Sequence, residues 1–325
     1  MTLLHFRFAL LAATLLVQGG AGAATYTPKD YKDAALRCLR AQALDCAETN
    51  WASYTRLRPT DANGLAQYGI VLARREKFSE AIPQFERAID LGEGAYDLFA
   101  TYATSLERVG RIDAAIDWDY KALAVVPSLV DVRGDLAKLL VLKKRHHEAL
   151  ALLASFDAQL AVKGHGPYFE AQRIAIEAAL ERAGGAGGSE SAALRLPSYE
   201  GHFFAPVTLG DARPRAFMVD TGATHTALSE ALLAESKLPH KLLRAGVTLR
   251  TADGRSVQAR LVSVARLAVG PFELSDVQVV VCPRCEMLLG QSTLARFDLT
   301  SRRQQGVEFL ALSRRALSAA PASPR

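Results

Sequence analysis

The sequence lacks a hydrophobic run long enough to cross a membrane. Its longest early run, Phe8 to Val17, has about ten residues, whereas a membrane-spanning helix needs roughly 20. The run follows a weakly basic start and precedes Ala21-Gly22-Ala23, which is the pattern of a secretory signal peptide. We therefore expect residues 1–23 to be a signal peptide, the protein to be periplasmic or secreted, and no stable membrane insertion.

Cysteine is scarce, with four residues in 325. In an exported chain this number suggests two disulfides, and local pairing is the simplest arrangement: Cys38 with Cys46, and Cys282 with Cys285. The second pair also has the spacing of a zinc half-site or a redox site, but no second cysteine or histidine pair accompanies it. His146 and His147 are adjacent, so they point to different faces of a helix, and we predict that they are exposed. No metal and no cofactor are expected.

The sequence also lacks a cluster of basic and aromatic residues, although its formal net charge is +5. The arginines are spread along the second half of the chain, so nucleic-acid binding is a poor interpretation. Half of the residues are hydrophobic and 22% are charged, a composition typical of a globular protein. The length is sufficient for two domains at roughly 100–200 residues per domain.

Apolar residues recur with helical spacing from Tyr26 to Arg182, and the pattern repeats every 34 residues. One column of the repeat holds only alanine: Ala47, Ala81, Ala115 and Ala149. A second column holds larger residues, with one exception: Trp51, Phe85, Asp119 and Leu153. Small polar residues recur just ahead of the alanine, where we predict helix N-caps: Asp45, Ser79 and Asp113. A plain helical bundle would not keep an alanine in register four times.

This period and these columns resemble the tetratricopeptide repeat, a helix-turn-helix unit that stacks into a solenoid. The resemblance covers about four repeats and implies an all-α domain at 24–183. The concave face of such a solenoid commonly binds peptides or proteins, so a protein partner on the repeats is expected. Residues 184–193 are rich in glycine and serine and are predicted to form a flexible linker.

The remaining chain has the alternation of β-strands, and we predict an all-β domain at 194–312 with a disordered tail at 313–325. Within it, an apolar strand from Ala216 to Val219 leads directly into Asp220-Thr221-Gly222-Ala223. Asp220 would supply a proton-transferring carboxylate, Thr221 a hydroxyl that locks the loop, and Gly222 room for close approach of backbone amides. Thr226 offers a further hydroxyl.

A second motif follows downstream: Met287-Leu288-Leu289-Gly290. Together, the two motifs resemble those of retropepsin-like (retroviral-type) aspartic proteases. The resemblance implies a small barrel with Asp220 as the catalytic residue. Thr221, Gly222, Ala223 and Thr226 would support the active-site loop. It also implies that Leu288, Leu289 and Gly290 pack beneath the loop beside the substrate cleft.

A β-hairpin is predicted between the motifs. Two alternating segments, Val247–Thr251 and Val257–Leu261, flank a turn that contains Asp-Gly, the strongest short hairpin signal. In the resembled family this position is the flap, which closes over a bound peptide. We therefore assign Ala252, Asp253 and Gly254 to a flap, with an ordinary surface hairpin as the alternative.

Only one Asp-Thr-Gly is present, and this has a consequence for mechanism. Peptide hydrolysis of this kind needs two carboxylates, because one acts as a base while the other donates a proton. A single motif supplies both only when two copies of the chain meet at a two-fold axis, so a homodimer through the protease domain is expected. Asp253 or Asp298 as an intramolecular partner is a weaker alternative.

Three functions remain open on the sequence alone. The first is an exported aspartic endopeptidase that hydrolyses protein or peptide substrates recruited by the repeats. The second is a non-catalytic peptide-binding or scaffold protein in which the barrel only dimerises. The third, thiol-disulfide exchange at Cys282 and Cys285, is less favoured because these residues follow a strand in a β-rich stretch rather than preceding a helix.

Overall fold

The computed structural model describes residues 26–182, 193–250, 254–304 and 306–315. These divide into two compact units, one ending at Pro59 and one beginning at Thr60, which are described separately. Several sequence predictions lie outside the described residues: the signal peptide at 1–23, residues 184–192 of the linker, the tail from 316, and Ala252 and Asp253 of the flap.

The first unit contains one helix pair, α1 (Pro28–Arg40) and α2 (Leu44–Leu57). Helix α1 begins with a capping box, in which Thr27 and Asp30 each satisfy a backbone N–H of the other. Trp51 of α2 is fully buried, and its ring packs edge-on against that of Tyr54. The sulfurs of Cys38 and Cys46 lie at disulfide distance, with their Cα atoms 5.7 Å apart, so the predicted local pairing is met here.

The second unit begins with seven helices. They are α3 (Ala62–Arg74), α4 (Phe78–Asp90), α5 (Tyr96–Arg108), α6 (Ile112–Val125), α7 (Val130–Leu142), α8 (His146–Val162) and α9 (Glu170–Arg182). Across both units, the first helices of the pairs begin at 28, 62, 96 and 130, and the second helices begin at 44, 78, 112 and 146. The helices thus start every 34 residues, and the prediction of tetratricopeptide-type repeats is confirmed.

The predicted N-caps are wrong by two residues. Helices α2, α4 and α6 begin one residue before Asp45, Ser79 and Asp113, so these polar residues lie in the first turn. The N-cap positions hold Ala43, Lys77 and Arg111, and none of them caps its helix with a side-chain hydrogen bond. The acidic residues Asp45 and Asp113 still favour these helix starts through the macrodipole.

Asp119 occupies the column in which Trp51 and Phe85 are fully buried. Its side chain is only 6% exposed, and no described residue forms a hydrogen bond with its carboxyl group. Burial, with the nearby Asp135 and Glu107 carboxylates, raises the pKa of Asp119 well above its usual range. The charged form is therefore disfavoured in the folded state.

Asp119→Leu should accordingly stabilise the protein at neutral pH, by about 1–3 kcal/mol for removal of an uncompensated buried polar group. A raised folded-state pKa means that the wild type loses stability as pH rises from the unfolded value of about 4 through the folded value. Urea unfolding at pH 5 and pH 8 would measure this, with Asp131→Leu as the exposed control. The expectation is contradicted if the free energies of unfolding of the variant and of the wild type change by the same amount between pH 5 and pH 8.

The strands are β1 (Ala193–Pro197), β2 (Phe204–Leu209), β3 (Arg215–Val219), β4 (Thr226–Ser229), β5 (His240–Arg250), β6 (Ser256–Val269), β7 (Phe272–Cys282), β8 (Leu288–Leu289), β9 (Phe297–Gln304) and β10 (Val307–Arg314). Short helices α10 (Glu230–Ser236) and α11 (Gln291–Leu294) interrupt them. Seven strands form a sheet in the order β2-β3-β8-β4-β7-β6-β5, which a β2–β6 pairing closes into a barrel. The order β1-β10-β9 forms a second sheet.

The predicted fold class, helical repeats followed by an all-β barrel, is confirmed. Strand β10 continues to Arg314, so ordered chain extends two residues past the predicted domain end. Strand β1 begins at Ala193, the last residue assigned to the linker. Strands β1, β4 and β9 were not predicted from the sequence.

Helix α8 lies between its neighbouring helices α7 and α9 and the barrel. Twelve successive residues, His146 to Asp157, are buried, because α7 and α9 cover part of the helix and β1, β2 and β3 cover another part. Ala151 belongs to the barrel core, whereas Leu152 and Leu153 belong to the helical core. The prediction that His146 and His147 are exposed is wrong for this reason. One helix thus contributes to both hydrophobic cores.

Candidate active site

Asp220 lies directly after strand β3, at the start of the loop that leads to β4. Strand β3 runs parallel to β8, with Met218 opposite Leu288 and Val219 opposite Leu289. The Asp220 N–H donates to the Leu289 carbonyl oxygen at 3.1 Å. The second motif therefore fixes the backbone that presents the carboxylate.

The Asp220 carboxylate is half-buried and held by its own loop. Its Oδ1 accepts hydrogen bonds from the Gly222 N–H at 2.8 Å and the Ala223 N–H at 3.2 Å. A Cβ at position 222 would stand 3.3 Å from this oxygen, a tight contact that glycine avoids. No described residue forms a hydrogen bond with Oδ2, so this oxygen is available to a water or a second carboxyl group.

Thr226 joins the two motifs from beneath. Its side chain is fully buried, and its hydroxyl lies 2.6 Å from the Thr293 hydroxyl. The Gly290 N–H donates to the Thr226 hydroxyl at 3.1 Å, and the Thr226 N–H donates to the Ser292 hydroxyl at 2.9 Å. These bonds satisfy each buried polar group and cross-link the loop to α11.

The loop tip is tied down by Gln291. Its side-chain amide donates to the Thr221 carbonyl at 2.9 Å, and its backbone N–H donates to the Ala223 carbonyl at 2.8 Å. The Ser292 N–H donates to the Thr224 carbonyl at 3.0 Å. Thr221 is exposed, so its hydroxyl stands at the surface of the described chain.

The predicted cleft residues lie at different depths. Leu288 is half-buried, but Leu289 is fully buried in the barrel core. Gly290 is also buried, beneath Ala223 and His225. Leu289 and Gly290 therefore support the loop from below, as the resemblance implies, and their place beside a substrate cleft stays a prediction.

The predicted hairpin is longer than expected. Strands β5 and β6 pair from His240 opposite Val264 to Arg250 opposite Ser256, with two irregularities. Gly254 lies at the turn with φ +82°, a left-handed conformation that favours glycine. Strand β5 is the edge of its sheet and is mostly exposed.

A bidentate ion pair anchors this hairpin, and sequence reasoning missed it. Arg260 on β6 donates to both Glu230 carboxylate oxygens, at 2.9 Å and 2.6 Å. The hydrogen bond from Arg260 lowers the pKa of Glu230. The pair ties the hairpin to α10, which follows directly after the Asp220 loop and β4. No local pattern marks two residues that are 30 positions apart.

Of the two alternative partners for Asp220, Asp253 lies outside the described residues and Asp298 is held by another group. Asp298 pairs with Arg315, whose Nε lies 3.0 Å from the carboxylate.

Cys282 and Cys285 lie at disulfide distance with Cα atoms 5.2 Å apart, in the turn between β7 and β8. Among the described residues no cluster of three potential metal ligands occurs, and no described helix is long and apolar enough to cross a membrane.

Comparisons with known proteins return similar proteins for both parts of the chain. A retropepsin-like aspartic protease from Rickettsia conorii is 26% identical, over 37% of this chain and 89% of that chain, with a TM-score of 0.27. YrrB, described as a TPR protein with an unusual peptide-binding site, is 22% identical over 41% of this chain and 69% of its own, with a TM-score of 0.38. Among curated proteins, none matches significantly. Residues 205–296, which contain both motifs, match the family model described as "gag-polyprotein putative aspartyl protease".

Proposed function

We propose that this protein is an exported aspartic endopeptidase that works as a homodimer. The observation that carries the proposal is the cross-linked pair of motifs: the Asp220 loop is bonded to 289–293 through backbone and hydroxyl groups. The family match over 205–296 covers both segments. A barrel with only a structural role has no need of a half-buried carboxylate whose second oxygen forms no hydrogen bond with any described residue.

In the dimer, the two Asp220 carboxyl groups face each other across the two-fold axis and share one proton, because two like charges about 3 Å apart do not both ionise. The ionised carboxylate takes a proton from the attacking water. The protonated one donates to the carbonyl oxygen of the scissile bond. When the tetrahedral intermediate collapses, a carboxyl proton passes to the leaving amine, and the C–N bond breaks.

Other parts of the chain take supporting roles in this proposal. Exposed Thr221 braces the two loops across the axis, and the β5–β6 hairpin closes over the substrate. The helical repeats recruit a protein substrate or partner. Export follows from the signal pattern at 1–23, and the periplasm or the medium is the proposed location.

The dependence of activity on protein concentration tests the dimer requirement. Cleavage of a denatured protein substrate would be measured from pH 3 to 7, with sedimentation velocity on the same samples. We expect specific activity to rise with the dimer fraction. A dimer that binds peptide without cleaving it would instead favour the non-catalytic scaffold, and a fully active monomer would contradict the shared site.

A further inference from the structure

A cavity of about 280 Å³ lies in the second unit, where helices α6 to α8 meet strands β1 and β10. Its inner wall includes Tyr120, Arg133, Ser155 and Tyr199, all of which are buried. None of its described lining residues belongs to the Asp220 loop or to 288–293. The cavity is therefore separate from the candidate active site.

Arg133 is the unusual member of this wall, because it is a cation that is only 2% exposed. Its Nη1 donates to the Leu152 carbonyl at 3.0 Å and its Nη2 to the Pro127 carbonyl at 2.8 Å. The guanidinium packs against the rings of Phe156 and Tyr199, at 5.2 Å and 4.8 Å from their centres. Its Nε has no hydrogen-bond partner among the described residues. A guanidinium carries five N–H donors, so three have no partner here.

No described carboxylate forms an ion pair with Arg133. Asp157, the candidate partner for Arg133, instead forms an ion pair with Arg173 at 3.0 Å and accepts hydrogen bonds from the backbone N–H groups of Tyr168 and Phe169. Burial lowers the pKa of Arg133 to about 10. A buried charge is usually paired with a charge of opposite sign. An anion in the cavity would therefore neutralise the positive charge of Arg133.

The rest of the wall restricts which anion fits. Leu123, Pro127 and the two tyrosines provide apolar and aromatic surface. The Ser155 hydroxyl donates to the Leu152 carbonyl at 2.9 Å, so Arg133 is left as the donor for an anion. The mouth carries Glu200, Arg303 and Glu308. Because two of these three rim groups are acidic and the interior holds one cation, a singly charged anion on an apolar stem is favoured over a multiply charged phosphate.

We propose that this cavity binds the carboxylate of an organic acid or of a peptide C-terminus. Arg133 holds the carboxylate through its unused N–H groups. Tyr120 and Tyr199 contact the apolar stem. The ligand would bridge α7 to the segment after β1, and so would stabilise the junction that α8 shares with the barrel. The site does not depend on peptidase activity.

Binding would be tested with matched acid and amide probes: benzoate against benzamide, and N-acetyl-Ala-Phe against its C-terminal amide. Calorimetry and thermal unfolding at constant ionic strength would use Asp220→Asn protein, which keeps the peptide probes intact. We expect at least one acid to bind and raise the Tm, while its amide does neither. A preference for benzoate would identify a free acid as the ligand, and a preference for the peptide acid would identify a chain terminus.

Arg133→Met should weaken binding of the acid at least tenfold, whereas Lys138→Met, which removes an exposed charge from the same helix, should leave it unchanged. If Arg133→Met does not fold, Ala124→Trp provides a second variant, since Ala124 is an exposed residue of the cavity wall and a tryptophan there would fill the mouth. The proposal is overturned if neither acid binds better than its amide. It is equally overturned if binding survives the variants that do fold.

Discussion

Asp220→Asn should lower the rate of peptide hydrolysis by roughly 10³-fold, within the range that a positioned acid–base group contributes, and should leave the fold intact. Asparagine retains an oxygen to accept the Gly222 and Ala223 N–H groups, which hold Oδ1 at 2.8 Å and 3.2 Å. It has no carboxylate to take a proton from water. Initial rates of cleavage of a denatured protein at the optimal pH would measure the loss.

Asp298→Asn is the matched control, because Asp298 is an exposed carboxylate of the same domain and pairs with Arg315. This variant should keep its activity. Loss of activity in Asp298→Asn alone would assign the second carboxylate to the same chain and contradict the dimer. Unchanged activity in Asp220→Asn would remove Asp220 from the chemistry altogether.

Mixed dimers give a sharper version of the same result. If each site needs Asp220 from both copies, equal amounts of wild type and Asp220→Asn that exchange subunits should retain about one quarter of the activity, whereas independent sites would retain about one half. The measurement requires only that subunit exchange reaches equilibrium before the assay. Retention of about one half of the activity would indicate that each site needs Asp220 from only one copy.

The backbone of the candidate site could be predicted from the sequence because the two motifs are short and each has a strong local preference. An apolar strand that ends at Asp220 and an apolar pair that ends at Gly290 indicate where the chain turns. The roles of Ser292 and Thr293 could not be predicted, since their partner Thr226 lies more than 60 positions away. The local sequence does not indicate whether a hydroxyl forms its hydrogen bond with a neighbouring loop or with solvent.

Helix α8 carries a signal that sequence reasoning passed over. Residues 149–154 read Ala-Leu-Ala-Leu-Leu-Ala, and a helix that is apolar on all sides is buried on all sides. That pattern could have indicated a second layer packed against the repeats. Strands β1 to β3 cover that second face. They begin after the glycine-rich segment, and no local sequence pattern links them to α8.

For strand β9 and for Arg133, the local sequence predicts the opposite of what the structure shows. Residues 298–304 are exposed and, apart from Leu299, polar. They lack the alternation that predicts a strand, and they become one because they pair with β10. Arg133 stands in a helix, where an arginine normally predicts a solvated position. Its guanidinium instead packs against Phe156 of α8 and Tyr199 after β1, neither of which is near it in the sequence.

Gly290→Ala should be the most damaging single substitution of small size in the barrel. A Cβ at this position would stand 2.4 Å from the His225 carbonyl oxygen and 2.8 Å from that of Ala223, closer than Cβ atoms approach backbone oxygens. Gly290 has an ordinary extended backbone at φ −98°. The requirement for glycine is therefore one of space alone.

The chain has little freedom to relieve this clash. The Gly290 N–H is bonded to Thr226, and the next two N–H groups are bonded to the carbonyls of Ala223 and Thr224. Any shift that admits a methyl group breaks these bonds and displaces the Asp220 loop. We expect a loss of about 3 kcal/mol in the free energy of unfolding, as for other overpacked sites, together with loss of activity.

Urea unfolding of Gly290→Ala and Gly94→Ala would separate this effect from a general cost of the substitution. A Cβ at Gly94 has no heavy atom within 4 Å, so that variant should change stability by no more than about 0.5 kcal/mol. If both variants unfold like the wild type, the two motifs are not packed as tightly as the hydrogen bonds require. If only Gly290→Ala is destabilised, the loop that presents Asp220 depends on the second motif for its position.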